Sequence, residues 1–179
     1  LNSLGLVKYL TEVRAINSSV ARTYLEEIHY KNKTDGKNYF AAGIKNQSGG
    51  YEVRNPYFKT SIGKKDFSLV KGKEGGGEVM VFEGFLSCLT DTGKKQMDCD
   101  ILVLNSVSFR QPVVGFIKAG GYQKVYTFFD NDKAGAEATE FFKQELGGIV
   151  ETCNQFYLPH KDYNQLLTER IKKLGQGRG

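Results

Sequence analysis

At 179 residues the chain is long enough for one α/β domain with a real core, or for that domain and one smaller lobe. No apolar run approaches the roughly 20 residues that cross a bilayer, so a helical membrane protein is excluded. The formal charge of +5 is uneven: residues 1–73 carry 13 Lys and Arg against 6 Asp and Glu, whereas residues 74–179 carry 12 against 14. A basic segment beside an acidic one suits a polyanion gripped by the first and processed by the second, although a solvated basic face without a partner is the plain alternative.

Cys88, Cys99 and Cys153 form no CxxC pair and read as reduced thiols, which points to a cytoplasmic setting. Only His29 and His160 could offer imidazole ligands, and they lack the paired spacing of a zinc site. The chain starts at Leu1 without a signal pattern and ends in Gly175-Gln176-Gly177-Arg178-Gly179, a linker-like tail over 175–179. It therefore reads as a piece of a longer chain.

In chain order, Leu6, Tyr9, Leu10 and Val13 stand at helical spacing, and Asn17 and Ser18 are caps for a second helix carrying Val20, Tyr24 and Leu25. Residues 27 to 70 predict a small antiparallel meander, with turns at Thr34-Asp35-Gly36-Lys37 and Gln47-Ser48-Gly49-Gly50. The glycine-rich stretch 71 to 78 reads as a connector. The expected division is thus a basic α+β lobe over 1–73 and a second domain over 74–174.

From Glu78 onward strands and helices alternate, which predicts a mostly parallel four-stranded sheet flanked by helices. The strands are Val79 to Phe82, Asp100 to Leu104, Lys124 to Phe129 and Ile149 to Tyr157. The helices fall at Gly84 to Leu89, Val113 to Ala119, Ala134 to Leu146 and Tyr163 to Leu174, with Gly120-Gly121 and Gly147-Gly148 as stops.

Two of these strands run into acids, Phe82 into Glu83-Gly84 and Phe129 into Asp130-Asn131-Asp132. Ligands of open α/β sheets bind beyond the carboxyl ends of the strands, so neighbouring strands would bring the three acids to one crevice. Mg²⁺ prefers such oxygens and completes its shell with water and substrate phosphates, an arrangement suited to phosphodiester chemistry. Taken singly, each acid could equally be a helix cap or a dipole partner. Apolar strand followed by Glu-Gly, then apolar strand followed by Asp-x-Asp with Gly135 close behind, is much rarer by chance.

These segments, Val79 to Phe85, Asp100 to Ser106 and Phe128 to Ala138, resemble the three successive motifs of a Toprim domain. The nearest likeness is to bacterial-type DNA primases and the primase-like proteins of plasmids and mobile elements, and it covers residue 78 to about 170. The resemblance implies a Toprim-like fold preceded by a small basic lobe, with Glu83 as general acid/base and Asp130 and Asp132 binding Mg²⁺ or Mn²⁺. Tyr9-Leu10, Arg14-Ala15-Ile16, Tyr39 to Ile44 and Gly50 to Asn55 are similar to the lobe that precedes Toprim. In primases that lobe supplies cations for template and nucleotide phosphates, which falls here on Lys64, Lys65, Arg54 and Lys59, with a solvated loop as the alternative. Tyr57 and Phe58 could stack on bases or pack locally.

Ser87 stands where primases often carry Asp, and Asp162-Tyr163-Asn164 stands where an Asp-x-Asp is common. Asp162 remains as an oxygen ligand, and one metal or two is left open. The zinc module of primases has no counterpart in these residues. The implied activity is Mg-dependent synthesis of short RNA primers from nucleoside triphosphates on single-stranded DNA, with a helicase or relaxase as further partner. Two alternatives stay open: a Toprim-type nuclease, and a catalytically silent nucleic-acid-binding module of a mobilisation protein.

Overall fold

A computed structural model describes residues 1–73, 77–90 and 98–176. Part of the expected connector, residues 74–76, and the end of the tail, residues 177–179, lie outside the described residues.

The chain opens with α1 (Leu4–Lys8), capped by Ser3 and running directly into a π-helical turn over Tyr9–Val13. Helix α2 (Ser18–Tyr24) starts at Asn17, whose side chain accepts from the Ser19 amide. Four strands follow in simple order and antiparallel: β1 (Glu26–Lys31), β2 (Asn38–Lys45), β3 (Tyr51–Arg54) and β4 (Lys59–Ile62).

The meander ends there, eight residues short of the expected limit at residue 70. Strand β5 (Ser68–Val70) leaves it and pairs antiparallel with β7 (Asp100–Val103). The second sheet therefore has five strands in the order β5-β7-β6-β8-β9, completed by β6 (Glu78–Phe82), β8 (Lys124–Phe128) and β9 (Val150–Thr152). The four strands read from the sequence are parallel to one another, and the fifth is an antiparallel edge beside β7. What fastens β5 is Asn105, whose amide donates to the Asp66 carbonyl and the Ser68 hydroxyl, both at 2.9 Å. A three-residue strand carries no mark of which sheet it will join.

The crossovers are α3 (Phe85–Thr90), α4 (Arg110–Gly120), α5 (Lys133–Leu146) and the terminal α6 (Tyr163–Gln176). Gly121 ends α4 with φ 66°, a left-handed conformation that favours glycine. Strand β9 stops at Thr152, and a 3₁₀ turn over Asn154–Tyr157 replaces the second half of the expected strand. The buried Tyr157 there donates its hydroxyl to the Phe129 carbonyl at 2.5 Å, which pins the turn against the end of β8.

Alternation along the central strands divides the core in two. Val79, Val81, Leu102, Val125 and Phe129 face α4 and α5, meeting Val113, Ile117, Ala138 and Phe142. Met80, Phe82, Ile101, Val103 and Tyr126 face the other way, and their apolar cluster takes in Phe85 and Cys88 of α3 together with Leu10, Ile16, Ala42 and Ile44. The basic N-terminal segment is thus joined to the second sheet through a common core.

Candidate active site

Strands β6 and β8 are parallel neighbours with Phe82 opposite Phe128, so Glu83 and Asp130 leave the sheet at the same carboxyl edge. Glu83 Oε2 accepts the Asp130 amide at 3.2 Å. Asp132 begins α5: Oδ1 accepts the Gly135 amide at 3.0 Å, while Oδ2 meets Lys161 Nζ at 3.1 Å. Capping and an outward-facing oxygen, read from the sequence as competing roles, are held by one carboxylate at once. Gly135 has no room for a side chain, because a Cβ would lie 2.0 Å from the Asp130 carbonyl oxygen. A glycine directly behind the Asp-x-Asp is therefore what lets α5 close on the end of β8.

Asp162 caps α6 through the Gln165 amide at 2.7 Å, and it lines the cleft. Asn164, 3 % exposed, is a bracket and not a free oxygen ligand. Its amide donates to the Arg14 carbonyl at 2.7 Å and to the Thr90 hydroxyl at 3.0 Å, and its oxygen accepts from Arg14 Nη1 at 3.4 Å.

The acids open onto a cavity of about 300 Å³ lined by Arg14, Arg54, Lys59, Glu83, Ser87, Asp130, Lys161 and Asp162, among others. Arg54 and Lys59 are paired across β3 and β4 and line this cavity. Lys64 and Lys65 lie in the exposed turn beyond β4 and do not line it. Phe58 packs edge-on against Tyr30 and Tyr39, whereas Tyr57 is 90 % exposed.

Two cations were not singled out from the sequence. Arg14, fixed by the Tyr9 hydroxyl at 2.9 Å and by Asn164, was legible only as part of a motif. Lys161 stands between the acids, 3.6 Å from Asp130 Oδ2 and 3.1 Å from Asp132 Oδ2. Its backbone carbonyl accepts the Asn131 amide at 2.6 Å, and the Asn131 side chain donates to the His160 carbonyl at 2.8 Å. The segment before α6 is thereby tied across the Asp-x-Asp, a link with no local sequence signal beyond the adjacency of Lys161 and Asp162.

Burial pushes the Asp130 carboxyl up to about 7, reinforced by the charges of Glu83 and Asp162. Burial also raises Glu83, and the nearby Asp132 adds to the effect. Asp132 is held below the usual range, first by the Gly135 amide and then by Lys161. At the carboxylate edge itself Asp130, Asp132 and Asp162 crowd the single ammonium of Lys161, which favours a further cation there, while Arg14, Arg54 and Lys59 line the rest of the cleft.

Among the described residues no three acidic, histidine or cysteine side chains are drawn together tightly enough to hold a metal by themselves. Mg²⁺ does not require that, since it commonly takes one or two carboxylates and completes its shell with water and phosphate. The donor set therefore fits a hard divalent ion, with Asp130 and the outer oxygen of Asp132 best placed and Glu83 and Asp162 flanking them.

A largely parallel sheet carries acids on its carboxyl edge and is closed on one side by a basic antiparallel lobe. Residues 80–167 match the family described as Toprim-like, and residues 1–63 match a domain of unknown function, DUF8464. The Toprim-like match spans most of the second sheet and its helices. No curated protein matches the chain at a significant level. Among solved structures, the primase fragment of the bacteriophage T7 primase-helicase protein superposes with a TM-score of 0.63 at 22 % identity, over 92 % of this chain and 71 % of that one. A chain from the bacteriophage T7 lagging-strand DNA polymerase structure, which includes primase domains bound to an RNA/DNA hybrid and dTTP, superposes at 0.64 and 22 % identity, over 90 % and 85 %. At that identity the likeness establishes the fold.

Proposed function

We propose that the chain is the catalytic core of a primase, a metal-dependent nucleotidyltransferase that makes short RNA primers on single-stranded DNA. The observation that carries this reading is the cleft itself: acids from β6 and β8 on one wall, Arg14, Arg54 and Lys59 on the other. Three cations facing a carboxylate edge suit a nucleoside triphosphate whose phosphates span the gap. The bacteriophage T7 structure with an RNA/DNA hybrid and dTTP supports the same assignment.

In the proposed reaction Arg14, Arg54 and Lys59 hold the triphosphate, and Asp130 with Asp132 would hold Mg²⁺ or Mn²⁺, flanked by Asp162. The bound ion supplies charge neutralisation at the phosphate oxygens. Glu83, its carboxyl raised by burial, takes the proton from the primer 3′-hydroxyl. The hydroxyl oxygen bonds to the α-phosphorus, the bond to the β-phosphate bridge breaks, and pyrophosphate leaves. Lys161 lies where it can pass from the acids to that departing charge. Partners under this reading are single-stranded DNA, nucleoside triphosphates and a helicase, the last suggested by the primase-helicase nature of the T7 protein.

The test is de novo oligoribonucleotide synthesis on single-stranded DNA with Mg²⁺ or Mn²⁺. Wild type is expected to make short products and Glu83→Gln to make none while keeping its melting temperature. Degradation of the DNA without added nucleotides would move the protein to the Toprim nucleases instead.

A further inference from the structure

The β1–β2 hairpin projects beyond the rest of its sheet, since β3 pairs with β2 only from Ala42 to Lys45 while β1 pairs with it out to Asn38. Register assigns the faces of this arm. Ala42 stands opposite Arg54, and Arg54 opposite Lys59, so these side chains share the face that opens on the cleft. Two residues outward, about 7 Å along the strand, the same face carries Phe40 opposite His29, and two further outward Asn38 opposite Lys31.

Phe40 is 45 % exposed and the His29 side chain 70 %, their ring centroids 5.9 Å apart. Such an uncovered phenylalanine on a strand forgoes apolar burial. On the opposite face Tyr30 and Tyr39 stack at 6.0 Å with Phe58 edge-on to both, half-buried and lining a cavity of about 610 Å³. One face stiffens the arm and the other presents flat rings in line with cleft cations. Glu27 lies on this face too, but its carboxylate accepts the Asn2 and Ser3 amides and hydrogen-bonds the His29 ring. Its charge is largely taken up at the chain's start.

We infer that the outer face of this hairpin is a stacking platform for single-stranded nucleic acid entering the cleft, with Phe40 and His29 against bases and Lys31 on a backbone phosphate. Alternation of rings and cations along one line is the chemistry of single-strand tracks, and the surplus of cations in residues 1–73 matches a polyanion. This deepens the proposed function by naming the path of the template, and it rests on that reading.

The chain has no tryptophan, so Phe40→Trp places a lone indole on the platform. Its fluorescence is expected to quench on titration with an oligothymidylate of about 15 nucleotides and to stay unchanged with duplex DNA. By anisotropy, Phe40→Ala should weaken oligothymidylate binding about tenfold, and Lys31→Ala should lower the slope of log affinity against log salt by about one. Lys143→Ala, on the exposed side of α5 and outside the cleft, should bind as wild type does. Absence of wild-type binding, an unquenched indole, equal quenching by duplex, or unchanged affinity in Phe40→Ala would overturn the inference and leave the arm to a protein partner. A wild type that binds through Phe40 yet makes no primer refutes the catalytic reading alone.

Discussion

Asp130→Asn should make the metal-free protein more stable above neutral pH. The aspartate lies among Glu83, Asp132 and Asp162 and is carried from 3.8 to about 7. Because the folded value lies above the unfolded one, the native state binds the extra proton. Its contribution is intact below about 4, is lost as pH rises, and the full cost of the ionised group is reached above about 7. A carboxyl so displaced corresponds to about 4 kcal/mol. With the Asp130 side chain 21 % exposed, solvent screening reduces this to about 2 kcal/mol. For a chain of this length that is a rise in Tm of about 4–8 °C. Thermal melts in a chelator at pH 5 and pH 8 give the comparison: the variant should gain markedly more over wild type at pH 8. Saturating Mg²⁺ should then stabilise wild type and leave the variant unmoved. An equal difference at both pH values, or a loss of stability at pH 8, would refute the crowding of charge on which this rests.

Removing the Lys161 ammonium with Lys161→Met should lower the metal-free Tm at pH 8 and enlarge the rise that Mg²⁺ produces, since the ammonium neutralises Asp130 and Asp132 until a metal arrives; an unchanged rise would deny it that place. Asp132→Ala should cost about 1 kcal/mol through loss of the α5 cap, and Asp132→Asn should cost much less in urea melts, since an amide oxygen can still accept the Gly135 amide. Equal costs would remove the capping role. Gly135→Ala should destabilise by about 2 kcal/mol or more, because backbone cannot yield as a side chain can; a neutral alanine would show that α5 sits further from Asp130 than described.

What was legible in the sequence was whatever repeats with the period of a local element. The alternation of Val79 to Phe82 and of Lys124 to Phe129, each ending on an acid, sufficed to foresee two strands releasing Glu83 and Asp130 at one edge. Partner choice was not legible. Val70 and its neighbours look the same whether they close a meander or edge a parallel sheet, and what holds them is distant in sequence: the β7 ladder and the Asn105 side chain. Strand β9 was overdrawn because Ile149, Val150, Thr152, Phe156 and Tyr157 are β-prone residues, while Tyr157 is buried by turning back to donate its hydroxyl to the Phe129 carbonyl. The acids were singled out by their motifs. Arg14 and Lys161 were passed over because their roles come from contacts across the fold, Arg14 with Asn164 150 residues on and Lys161 with Asp130 and Asp132. Lys64 and Lys65 were favoured by position in a motif, and the turn after β4 carries them away from the cleft.

The most direct test of the central claim is an anomalous difference map from a crystal grown or soaked with Mn²⁺. The account predicts a peak about 2.0–2.5 Å from oxygens of Asp130 and Asp132, with the Lys161 ammonium displaced from between them. A map with no peak at these carboxylates under saturating Mn²⁺ would contradict it.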